Sequence, residues 1–565
     1  MVQERKKNNM KKMSILTGIL LSSALVLTVG ACKGKGNSSS PSSTEPEPPT
    51  LEAVQVDPYT LSANYRNLRI NGMGYSGEQF TEHSKEVEED GKTVTKKTYV
   101  VEDVKALVIP VDFTDAPYSW YGDSEEETRE VLNDVFFGGP EDMQWYSLKE
   151  YYKSTSFGQC NISGSVGPWW HTNISYKSLP TGTDGKTSTA YSKTLAIQIQ
   201  DYYRAHSNEI NLADYDANRD GLVDSLIMIY TAPIDTTGSL WWAFCWSVGG
   251  AWGKYTPSGN LEGVNRFFWA SYRFLFERNN PQAGEPEQYT SDEIKAGVDM
   301  HGNPIYPDAH TMTHEYGHVL SLPDYYITDY DSSDYGAMGG LDMMDYNVGD
   351  HNAYSKMMYG WINPRRIEGT EGSVTVTLNS TTKTGDTLII PAPGEWNNTY
   401  LDQYLVIEFL TPEGVARQDG LAPYLGHYPQ YYSNAGIRIL HIDSRMGVFQ
   451  QSGDDYAFVG YTWTTKTDLS KAYVGVAADN TKSRSCFPKY KLAEVLPADG
   501  KSIKAHNGRA SNDCLYYEGQ GFGENGVWEN FKLNGLTGEK DKDFGFVIHV
   551  DKIDGNKSAT LTISR

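Results

Sequence analysis

Residues 311–326 read TMTHEYGHVLSLPDYY, and the HEYGH inside this stretch restricts the fold more than any other part of the chain. On an α-helix, where 3.6 residues complete a turn, two histidines four positions apart are close neighbours on one face. The spacing predicts a helix beginning near Asp308 and ending before Pro323, which disfavours helix at Leu322. On it, His314 and His318 can offer imidazole nitrogens to one cation, with Glu315 beside them as a carboxylate able to take a proton. A third ligand is needed. Asp324 lies ten residues after His314, where the longer HExxHxxGxxH pattern puts its last ligand, and a carboxylate can serve there. No glutamate occurs between Glu315 and Glu368, so a ligand from a glutamate on the next helix is not on offer. Zinc held by His314, His318 and Asp324, with Glu315 as general base, is the expected chemistry.

The start of the chain reads as an export signal. Five basic residues among the first twelve precede an apolar run, Ile15 to Val29, closed by Val-Gly-Ala-Cys ending at Cys32. This ending resembles a bacterial lipobox, which implies cleavage after residue 31, lipidation of Cys32 and attachment to the outer face of the cell membrane. Residues 32–60, which include KGKGNSSSPSSTEPEPPT at 33–50, are expected to be a flexible spacer. With Cys32 set aside, Cys160, Cys245, Cys486 and Cys514 remain, and Cys486 with Cys514 is the favoured disulfide. The net charge of −23 argues against nucleic acid as a partner, because phosphate backbones are bound by a surplus of Lys and Arg.

Downstream of a segment of uncertain structure, 61–99, the pattern divides near residue 365. Apolar runs at 104–113 and 222–230 read as buried strands, and 125–137 and 188–206 as helices, the first with Ser124 as its cap. Residues 238–290 are rich in Trp, Phe and Gly, with too little periodicity for assignment. From 366 to 565 short runs such as TLII, YLVIEF, IRILHI and ATLTI alternate with turn residues, as expected for an antiparallel β-sandwich. The fold class is therefore α+β: a catalytic domain over 100–365, then a β-sandwich.

A second cation is suggested by DANRDGLVD at 216–224. Asp216, Asn218 and Asp220 at alternate positions, the carbonyl of Leu222 and the carboxylate of Asp224 follow the first part of an EF-hand calcium loop, although Ile227 stands where its closing glutamate would be.

HEYGHVLSLPDYY and the following GGLDMMDYNVGDHNAYSKMMYGWINP resemble the immune inhibitor A family of bacterial secreted zinc metallopeptidases, which is metzincin-like. LVIPVDFTD, LKEYYKSTSFGQCNISG and DANRDGLVDSLIMIYTA upstream, with YLVIEF and GIRILHID downstream, extend the resemblance over about 100–565. It implies the ligand set and base above, and Met344 as the methionine beneath the metal. It further suggests Tyr346 as a candidate oxyanion group and His351 as a hydrogen-bond partner of the zinc histidines. Ser321 departs from the family glycine at a turn that needs positive φ. His310, near the helix start, is expected to be solvated. The activity implied is cleavage of a protein or peptide substrate. Two rival readings are a non-catalytic surface lipoprotein using its aromatic residues for binding, and a zinc hydrolase of a non-peptide amide.

Overall fold

The computed structural model describes residues 50–61, 79–180, 185–235, 240–248, 263–278, 285–327, 336–424, 428–452, 455–460, 472–481, 490–536 and 539–565. Cys32 with its signal, and Cys486 with its proposed disulfide, lie outside the described residues. The chain is α+β, as expected.

The strand Asp103–Asp112 organises the first sheet, whose order is Asn161–Val166, Asp103–Asp112, Ser225–Tyr230, Arg266–Ser271, Phe244–Ser247. The pairs are parallel except the last, so Phe244–Ser247 closes the edge antiparallel. Helices cover both faces, which is why these strands read as nearly unbroken apolar runs. Val108, Ile227 and Phe268 pack on one side with Met312, Tyr316 and Val319 of the HEYGH helix. Leu107, Met228 and Trp269 face the other way, against Leu195 and Ile199 of helix Gly185–Ala205. Helix Glu125–Phe137 starts as expected, with Ser124 Oγ accepting from the Glu127 N–H at 3.1 Å.

Downstream, two sheets pack together. One has six strands in the order Glu52–Gln55, Arg365–Glu368, Thr387–Pro391, Gln403–Leu410, Gly436–Asp443, Ala493–Val495; the other pairs Ser373–Asn379, Ser558–Ser564, Val547–Asp554 and Gly521–Phe522. Leu388, Leu405, Ile407 and Ile439 meet Leu378, Leu561 and Ile563 of the second sheet. Three features differ from the sequence expectation. Arg365–Glu368 runs parallel to Thr387–Pro391. Glu52–Gln55, placed in the spacer by composition, is an ordered edge strand on Arg365–Glu368. Finally, the alternate residues Ile389, Val406, Leu440 and Ile442 belong to the same core as the HEYGH helix. The six-stranded sheet is thus buried on both faces and continues the first core. Within 61–99, Thr81–Glu89 and Lys92–Val100 form a hairpin. Among the described residues, no helix is long and apolar enough to cross a membrane.

Candidate metal centre

The HEYGH helix spans His310–Val319. The Leu322 N–H reaches the Gly317 carbonyl and the Ser321 N–H the His318 carbonyl, each at 2.9 Å, which closes the helix end in a Schellman arrangement. Ser321 takes the left-handed conformation there, φ 80°. The strain expected at this departure from glycine is therefore present. Its Oγ accepts from Arg266 Nη2 at 3.2 Å, a contact that glycine could not make.

His314 Nδ1 lies 2.7 Å from the Met343 carbonyl and His318 Nδ1 2.8 Å from the Leu322 carbonyl. A carbonyl only accepts, so both Nδ1 atoms carry hydrogen and both Nε2 atoms are left to bind something else. Those Nε2 atoms converge on Asp324 Oδ1, at 3.2 Å from His314 and 3.0 Å from His318. Two imidazole nitrogens and a carboxylate oxygen within 4.8 Å of one another are a nitrogen and oxygen donor set that suits zinc, and among the described residues no other such group of three occurs. Burial opposes charge on His318, but the Asp324 carboxylate outweighs it and pushes the imidazole up to about 9. Burial likewise opposes ionisation of Asp324, yet the two imidazoles hold it far below the usual carboxylate range. Glu315 is buried at 6% exposure, and its charge is close enough to raise the pKa of His318.

Met344 lies under this helix. A Cβ on Gly317 would collide with the Met344 sulfur, so the glycine of HEYGH is what admits the methionine. Asp324 is fixed from the same side, because the Tyr325 N–H donates to the Met344 carbonyl at 2.8 Å. The downstream sheet braces the turn in its turn. Arg438 Nη1 donates to the Leu341 carbonyl at 3.3 Å, Glu408 accepts from the Ala353 N–H at 2.8 Å, and the two side chains pair at 2.6 Å.

Tyr346 stacks beneath the Arg509 guanidinium and edge-on to Tyr428. His351 does not take the part expected of it. Backbone carbonyls already hold both His314 and His318, and among the described residues neither nitrogen of the buried His351 ring has a hydrogen-bond partner; burial, Lys356 and His314 keep it neutral. His310 is another correction. It is 2% exposed, its ring sandwiched between Trp145 and Tyr424 at 3.5 and 3.7 Å, with Asp308 at 2.8 Å and Asp419 at 3.2 Å from its nitrogens. Burial opposes its charge, but the two carboxylates prevail and push it up to about 9. Trp145 and Asp419 are remote in sequence, and no local signal announced them.

The loop 216–224 has its acids turned mainly to its own backbone. Asp216 accepts from the N–H groups of Asp220 and Gly221 at 3.1 and 2.9 Å, and Asp220 from that of Leu222 at 2.9 Å. The buried Asp224 accepts from the Lys105 N–H at 2.7 Å. These carboxylates do not meet at a common point as His314, His318 and Asp324 do.

No family model matches the chain. It is 24% identical over 252 residues to the pre-pro-metalloprotease PrtV of Vibrio cholerae serotype O1, in two strains, M66-2 and El Tor Inaba N16961. The match covers 40% of this chain and 25% of those relatives, so the chain spans about a quarter of their length.

Proposed function

We propose that this chain is a zinc-dependent endopeptidase of the immune inhibitor A type. The observation that carries the proposal is the convergence of His314 Nε2, His318 Nε2 and Asp324 on one point, with Glu315 on the same helix. The distant similarity to a bacterial metalloprotease supports the same reading. Zinc held by these three residues would supply a Lewis acid to polarise a peptide carbonyl and acidify water. Glu315 then serves as the proton carrier: it takes a proton from the attacking water and delivers it to the departing amine. Met343, Leu322 and Met344 hold the ligands, and Gly317 gives the methionine its place. Casein or gelatin digestion with and without a chelator tests the proposal; cleavage abolished by chelation and restored by zinc is expected.

Export, lipidation of Cys32 and tethering outside the cell membrane are proposed from the sequence of the first 32 residues alone. Calcium at 216–224 is proposed from the residue pattern. It predicts a melting temperature raised by calcium in the parent and unmoved in Asp220→Ala, because an ion bound only by the folded state stabilises it.

A further inference from the structure

Arg509 belongs to the downstream part of the chain but lies against the methionine turn. Its guanidinium sits 4.4 Å from the centre of the Tyr346 ring, two residues beyond Met344. Gly340, at φ 85°, permits the approach, since a Cβ there would fall 2.9 Å from Arg509 Nη1 and 3.2 Å from the Tyr346 ring. The neighbouring Ala510 N–H donates to the Gly339 carbonyl at 2.9 Å, which pins this stretch to the turn. Asn347, next to Tyr346, reaches Thr311 in the first turn of the metal helix at 3.4 Å. Arg509 is therefore held against the methionine turn, whose Met344 packs under the helix that carries the candidate ligands.

Among the described residues, no ion pair answers its charge. Arg438, Arg278 and Arg445 pair with Glu408, Glu293 and Asp443 at 2.6–2.8 Å, in a chain with 72 acidic against 49 basic residues. Among the described residues, the half-buried Arg509 side chain meets no carboxylate, and its Nη1 is shielded from solvent with no hydrogen-bond partner. Nη1 faces Gly340, so Nε and Nη2 of the stacked guanidinium form the edge that a planar, bidentate acceptor would meet.

We propose that Arg509 is a specificity residue, which receives a carboxylate of the peptide lying in the cleft. The carboxylate comes either from an acidic side chain or from the peptide C-terminus. This rests on the endopeptidase reading above. The full chain carrying Glu315→Gln, loaded with zinc, is titrated calorimetrically with peptides bearing Glu or Gln at each position in turn, and with a free or amidated C-terminus. One carboxylate should tighten binding about tenfold or more over its neutral counterpart. That ratio should fall to near one with Arg509→Ala added and recover in part with Arg509→Lys, and the peptide that shows it identifies the source. Equal binding of acidic and neutral peptides, no binding of any peptide, or a ratio indifferent to Arg509→Ala overturns the proposal. Carboxylate discrimination without turnover by the Glu315 protein rejects the peptidase reading and leaves Arg509; turnover without discrimination rejects Arg509 alone.

Discussion

Gly317 and Met344 occupy one space: the methionine sulfur fills the position where any larger residue at 317 would put its Cβ. Gly317→Ala should therefore displace the methionine turn, at a cost of about 1–3 kcal/mol for overpacking. Because the Met344 carbonyl holds Tyr325 beside Asp324, zinc affinity should fall as well. Denaturant melts and competition with a chromogenic chelator read the two effects; an unchanged zinc affinity would separate Met344 from the placing of Asp324.

Asp324→Ala leaves two imidazoles facing each other with no carboxylate. Zinc content measured by mass spectrometry should drop to a small fraction of the parent value. Near-stoichiometric zinc in this variant would mean that another residue is the third ligand.

His310 gives the fold a pH dependence of definite sign. Its folded value of about 9 stands above the ordinary 6.5, so the stabilisation by Asp308 and Asp419 is fully present below about 6.5. It is lost as pH rises through 9. Asp419→Asn should lower the melting temperature most near pH 6, with the gap to the parent narrowing toward pH 9.5. A gap independent of pH would exclude a charged His310.

The Arg438–Glu408 pair is fully buried, so removal of one member strands the other. Glu408→Ala should cost about 3–5 kcal/mol. Since the pair also holds Leu341 and Ala353 on either side of the methionine turn, zinc should be lost at a lower denaturant concentration than in the parent. Retention of zinc up to the parental unfolding midpoint would show that the downstream sheet does not support the centre.

The local parts of this account were legible in the sequence. HEYGH with Pro323 marked the helix and its end, and Ser321 marked the positive φ. Apolar runs located Asp103–Asp112, Gln403–Leu410 and Gly436–Asp443. Phe244–Ser247 and Arg266–Ser271 escaped because Phe, Trp, Ala and Ser packed on both sides give no alternation to read. The downstream strands read as a separate β-sandwich domain because an apolar run looks the same whatever covers its faces. What surrounds His310 and Arg509 depends on partners far away in the chain, Asp419 at 109 residues among them, and only tertiary packing brings these together.

The most direct measurement on the central claim is peptide hydrolysis by Glu315→Ala at saturating zinc, alongside its melting curve and zinc content. Glu315 shares the helix of His314 and His318 but stands outside the group of three that could hold the ion, so on the proposed mechanism fold and zinc should be retained while turnover falls by about 10²–10⁴-fold or more, the range typical of a lost general base. A folded, zinc-loaded variant that cleaves peptide as fast as the parent would contradict the mechanism.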